Sequence, residues 1–176
     1  MDDMAVASPW CSGKIHWFTL KLGDHFEITE LGKLRHILGL VITQNRSEKT
    51  IHISQTVYIY KILVCFGIEG ATPVSTPPAV KYDLSTVQSL VTNDKKTKYL
   101  NYAGDLYYLS IVGSLLFATQ SRPDIQHAIS LVSQFGSNPG ILHLEATKQI
   151  FCYLKGTMEH SLMLGHHGAE GFDLVD

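Results

Sequence analysis

The sequence predicts an α+β fold, on three observations. A β-rich run at 37–43 and the alternating Ile51-His52-Ile53 flank a polar turn, the pattern of a β-hairpin. Helical periodicity brackets that hairpin and returns through most of the second half. A proline-rich and then polar stretch at 69–101 separates the two halves.

Each element follows from local chemistry. Met-Ala-Val-Ala at 4–7 is a short apolar run, ended by Ser8-Pro9, and reads as a strand. Ser12 offers an N-cap, and Ile15, Phe18 and Leu22 follow at helical spacing, predicting an amphipathic helix near 13–25. The run at 37–43, the polar turn Gln44–Lys49 and Ile51-His52-Ile53 make the hairpin. Ser54 caps the next helix, whose face is Ile59, Ile62, Leu63 and Phe66 and whose stop is Gly67. Three prolines between 71 and 78 exclude a helix there, because each fixes φ and removes a donor. The stretch 69–101 therefore reads as a long surface connection.

Three helical stretches follow. The first, near 103–119, is apolar almost all round and predicts burial. The second starts at Pro123, a residue suited to a first helical turn, and carries Ile125, Ala128, Ile129, Val132 and Phe135 on one face. The third, near 141–155, carries Ala146, Ile150, Phe151 and Leu154 and stops at Gly156. Residues 162–164 and 172–175 are candidate strands. Asp124 suits a helix start, and Arg122 suits a carboxylate or carbonyl partner that fixes the direction of that helix. His143 is placed to cap or pack at its helix start, and His166-His167 reads as loop, since adjacent side chains point apart.

Composition bounds the function. With 45% hydrophobic and 17% charged residues the chain is globular in character. Its net charge of −2 means that any nucleic-acid contact must come from a local basic stripe. Cys11, Cys65 and Cys152 have no metal-ligand spacing and read as free thiols. The acidic start does not resemble a signal peptide, and no apolar run reaches the ~18 residues of a membrane helix. The expectation is an intracellular protein with no membrane partner, its compartment (cytoplasm or nucleus) unresolved.

Several short motifs then occur in one order. Ser121-Arg122-Pro123-Asp124-Ile125, His143 and Tyr153-Leu154-Lys155-Gly156-Thr157 lie downstream. Upstream are Phe26-Glu27-Ile28, Glu30-Leu31-Gly32-Lys33-Leu34, Leu38-Gly39-Leu40 and Ile51-His52-Ile53-Ser54-Gln55. Thr76-Pro77 and Ile111-Val112-Gly113-Ser114-Leu115 lie between. Together they resemble the reverse transcriptase of copia-type LTR retrotransposon Pol polyproteins, in its C-terminal part leading into RNase H. No single motif is specific; the shared order and spacing are.

The resemblance implies the following. Residues 1–68 would be a partial palm of antiparallel strands and helices, with a catalytic-hairpin remnant and a primer-grip-like hairpin. Residues 69–101 would be a connection, 102–157 a helical thumb or connection region, and 158–176 the start of an RNase H-like segment. Asp2 and Asp3 match the polymerase aspartate pair, which with Mg2+ would position the attacking and leaving oxygens. The family's further aspartate comes from an earlier strand, for which this sequence has no candidate. Asp176, or else Asp173, matches a metal-binding aspartate of the first RNase H strand. Partners would be an RNA template, a DNA primer and the remainder of the Pol polyprotein. Lys33, Arg35, Arg46 and Lys49 are candidate phosphate contacts, against the simpler reading of a solvated face, which the net acidity favours.

The expected function is thus a fragment of an RNA-directed DNA polymerase, catalytically incomplete alone and prone to expose sheet edges. The alternatives are a reused nucleic-acid- or protein-binding module, and a piece of a longer, working enzyme.

Overall fold

The computed structural model describes residues 4–8, 12–77, 84–90, 92–104 and 107–165. In chain order these form α1 (Ser12–Gly23), β1 (His36–Ile37), β2 (Leu40–Asn45), β3 (Thr50–Ser54) and α2 (Thr56–Cys65). Then come α3 (Asn93–Ala103), α4 (Tyr108–Ala118), α5 (Gln126–Ser133), α6 (Ile141–Gly156) and β4 (Leu162–Gly165). The architecture mixes helices with one four-stranded antiparallel sheet of order β1-β2-β3-β4.

The helical core forms where periodicity places apolar side chains on facing stripes. Ile59 of α2, Ile111 and Leu115 of α4, Ile129 of α5, and Ile150 and Phe151 of α6 are all fully buried in one cluster. α2 thus shares its core with α4 and α6, across the proline-rich stretch that separates them in sequence. That stretch is itself docked: Val74 N–H donates to the Cys152 carbonyl at 3.4 Å, and Lys155 Nζ to the Ala71 carbonyl at 2.6 Å. Pro73 lies so close to Gly156 that a Cβ there would sit 3.1 Å from Pro73 Cβ.

Three local expectations change. Residues 4–8 form no strand, and Met4 and Val6 are exposed with no ladder partner. The run 37–43 is not one strand: Leu38 and Gly39 both take positive φ, at 49° and 78°, and reverse the chain between β1 and β2. Two positive φ values in a two-residue loop match the right-handed twist of the flanking strands, and glycine tolerates the second at no steric cost. Residues 93–103, read as connection, are helical: Thr92 Oγ1 accepts from Lys95 N–H at 3.4 Å, and Tyr99 and Ala103 are buried. The candidate strand at 172–175 and the pair His166-His167 lie outside the described residues.

β4 pairs with β3 over more than a hundred residues of sequence, with Ile53 opposite Leu162 and Ile51 opposite Leu164. Since side chains alternate across a strand, Ile42, Ile53 and Leu162 share one sheet face with Ile51 and Leu164.

At the start of α6, His143 is fully buried and stacks on Phe135 at 4.0 Å between centroids. Its Nδ1 accepts the Gly140 N–H at 2.8 Å, so the ring is a neutral cap. Burial lowers its pKa from the ordinary 6.5, against a smaller opposing pull from the Ser85 backbone. The neutral form is therefore favoured on folding. Its contribution to stability is complete above pH 6.5, falls as pH drops below that unfolded value, and levels off beneath the folded one. Urea titrations at stepped pH should show this slope in the wild-type chain and a flatter one in His143→Asn. Equal slopes would refute the neutral-cap assignment.

Candidate nucleic-acid interface

The β1–β2–β3 hairpin system carries the basic residues singled out in the sequence. Its far turn, 46–49, is built by Asn45, whose Oδ1 accepts from Ser47 Oγ at 2.6 Å and from Glu48 N–H at 3.3 Å. This is an Asx-type closure, in which a short side chain replaces a backbone acceptor. Lys49 leaves the turn at a φ of 53°.

The structure divides the four candidate cations into two pairs. Lys33 and Arg35 lie where the chain enters β1, exposed, on a shallow groove of about 340 Å³ lined by residues 33–36 and 41–44. None of those lining residues is acidic, and His36 joins the two cations. Arg46 and Lys49 lie in the turn that follows β2, with Glu48 between them in sequence. Ile42 N–H donates to the Arg35 carbonyl, so Arg35 stands opposite Ile42. Arg46 is four residues further along, about 13 Å away at ~3.3 Å per residue. The groove pair has no acidic residue among its lining, whereas the turn pair has Glu48 beside it in sequence. The sequence search did not mark His36, although it adjoins Arg35; only the fold brings it to the groove.

A second constellation is built from the downstream motifs. Arg122, 2% exposed, donates from Nε to Asp124 Oδ1 at 3.0 Å and from Nη2 to Oδ2 at 2.6 Å. It also donates from Nη1 to the Thr157 carbonyl at 2.7 Å and from Nη2 to Thr157 Oγ1 at 2.6 Å. Tyr153 OH donates to Asp124 Oδ2 at 2.8 Å, beneath the guanidinium. Burial alone would raise the Asp124 carboxyl; hydrogen bonds from Arg122 and Tyr153, and the guanidinium charge, hold it below its ordinary value. The cluster ties the turn before α5 to the end of α6. Nearby, buried Gln55 accepts from Ser121 Oγ at 2.8 Å and donates to the Phe117 carbonyl at 3.3 Å, tying the sheet to α4. These residues hold elements together: each of these hydrogen bonds joins the chain to itself.

The chain is 37% identical over 166 residues to the retrovirus-related Pol polyprotein from transposon TNT 1-94 of Nicotiana tabacum, a match covering 94% of the chain. The chain belongs to the retrovirus-related Pol polyproteins of transposons. The Pol polyproteins from transposons RE1 and RE2 of Arabidopsis thaliana match at 36% and 31% identity, each over 81% of the chain. The chain spans 12% of the length of the tobacco Pol polyprotein and 9% of each of the other two. No family model matches the chain. No solved structure matches it.

The remaining candidates of this Pol segment, Asp2, Asp3, Asp173 and Asp176, lie outside the described residues. Among the described residues, no group of three or more His, Cys, Asp and Glu side chains is arranged to hold a metal ion. No helix of the described residues is long and apolar enough to cross a membrane.

Proposed function

We propose that the chain is the C-terminal part of a copia-type reverse transcriptase, running toward RNase H, and that alone it holds a primer–template without extending it. The observation that carries this reading is the similarity to Pol polyproteins across nearly the whole chain; the ordered motifs of the sequence support its placement in the reverse transcriptase. On this reading residues 1–68 derive from the palm and 102–157 from the thumb or connection. The packing of α2 with α4 and α6 supports a shared core between the two parts. The partners are an RNA template, a DNA primer and the rest of the polyprotein.

Magnesium would supply the charge that orients the reacting oxygens. Its candidate ligands here are Asp2, Asp3 and, toward RNase H, Asp176. The described residues do not form a magnesium site, so no catalytic step is assigned to them. Primer extension on an RNA template with magnesium tests the incompleteness. No product is expected, beside a positive-control enzyme. Extension abolished by Asp2→Asn/Asp3→Asn would overturn this reading.

The hold itself is assigned to the groove beside β2, because Lys33 and Arg35 stand there with no carboxylate among the lining residues. Binding of a primer–template duplex should weaken with salt, each phosphate contact contributing a slope of about −0.9. Lys33→Ala/Arg35→Ala should flatten the slope by about 1.8, the sum of two such contacts. Arg46→Ala/Lys49→Ala should change it less, with Glu48 already beside that pair. The reverse ranking in a fluorescence-anisotropy salt series would move the hold to the turn. Equal slopes in all three proteins would leave the basic residues as a solvated face.

A further inference from the structure

α1 contains no acidic residue, and its two faces differ in role. Ile15, Thr19 and Leu22 are half-buried, on one side. Lys14, Trp17 and Lys21, at i, i+3 and i+7, lie on the other side, all exposed, with Trp17 at 63%. Lys21 pairs with Asp24 at 3.5 Å with both side chains well exposed, an ion pair of little strength. The exposed indole thus presents a π face flanked by two ammonium groups on a helix free of acidic residues.

We propose that this face of α1 is a single-stranded nucleic-acid site, with the Trp17 ring stacked on an unpaired base and Lys14 and Lys21 on phosphates to either side. The inference rests on the reading of the chain as a nucleic-acid holder, but it names a separate element and a different form of ligand. An exposed base is required because a duplex hides the π faces on which an indole stacks. The two lysines are about 10 Å apart along the helix at ~1.5 Å per residue, roughly three steps of a stacked strand at ~3.4 Å each. An apolar protein surface docking on Trp17 would have to draw both ammonium groups out of water. A membrane-surface helix buries a broad apolar face; this side exposes Trp17, Phe18 and Leu20 beside its cations, and a vesicle titration separates that ligand from a nucleic acid.

The sequence has two tryptophans, so a Trp10→Phe chain reports Trp17 alone. Titration with single-stranded oligothymidylate should quench its fluorescence saturably. Trp17→Ala should weaken binding roughly tenfold, the effect of losing one stacked base, while Trp17→Phe should retain most of the affinity. Lys14→Ala/Lys21→Ala should remove about 1.4 from the salt slope, at ~0.7 per single-strand phosphate. Alanine and phenylalanine variants that bind alike would overturn the site. So would quenching by vesicles of anionic lipid without quenching by oligothymidylate, which would assign the face to a membrane surface. Absence of quenching with duplex binding still dependent on Lys33 and Arg35 removes α1 alone. Quenching without that dependence removes the hairpin hold and keeps α1.

Discussion

Arg122→Ala is expected to cost about 3–5 kcal/mol, the range for breaking a buried charge pair from one side. For a chain of this size that lowers the melting temperature by roughly 6–20 °C. Arg122, 2% exposed, makes four hydrogen bonds to two residues, Asp124 two positions away and Thr157 35 positions away. Without it the Thr157 carbonyl loses this donor, the Asp124 carboxylate is left with the Tyr153 hydroxyl, and the end of α6 is tied less firmly to the turn before α5. Asp124 keeps some contact with water, its side chain being 35% exposed, so the lower half of the range is expected. Arg122→Lys should recover little, since an ammonium cannot span Asp124 and Thr157 with a planar fork. A pH series checks the electrostatic part. The depressed Asp124 carboxyl contributes stability that is present above its ordinary value of 3.8 and is lost as pH falls through the lower folded value. The difference between wild type and Arg122→Ala in chemical denaturation should therefore shrink under strong acid. A loss below about 1 kcal/mol at neutral pH would place Arg122 among ordinary surface ion pairs.

Phe151→Ala should cost a similar amount, about 3–5 kcal/mol, from lost transfer energy and the cavity left behind. Phe151 is fully buried on α6 and meets Phe66, just beyond α2, at 5.4 Å between ring centroids. The destabilisation should appear as one cooperative transition, because α2 and α6 share a core although a proline-rich stretch separates them in sequence. Two resolved transitions in calorimetry, with only the later-sequence unit shifted, would instead make the halves independent domains.

How far the site could be read in advance depended on whether its signal was local. The face of α2, Ile59, Ile62 and Leu63, was visible as spacing because burial repeats with the helical turn. Pro123 and Asp124 marked a helix start by fixed φ and by charge, and Arg122 was recognisable as a group needing a carboxylate or carbonyl partner. Its actual partners, Asp124 and Thr157, include one close in sequence and one distant, and no pattern in the sequence named the distant one. The four basic residues of the hairpin are exposed, but that Lys33 and Arg35 share a groove with residues 41–44 while Arg46 and Lys49 sit in the turn after β2 follows from register. α3 was missed because its sequence is mostly polar, and its helical state is supported by two buried contacts, Tyr99 and Ala103.

By itself, then, the sequence determined the hairpin, the amphipathic helices, their stops at Gly67 and Gly156, and membership of the Pol polyproteins. These depend on the side-chain period, on backbone restrictions at glycine and proline, and on motif order, all of which are written along the chain. Only the tertiary structure decided that β4 closes on β3, that α2 joins the core of α4 and α6, and that Arg122 binds the end of α6. Those pairings join residues far apart in sequence. Each is selected by the burial and hydrogen bonding of the folded whole, not by any segment's own preference.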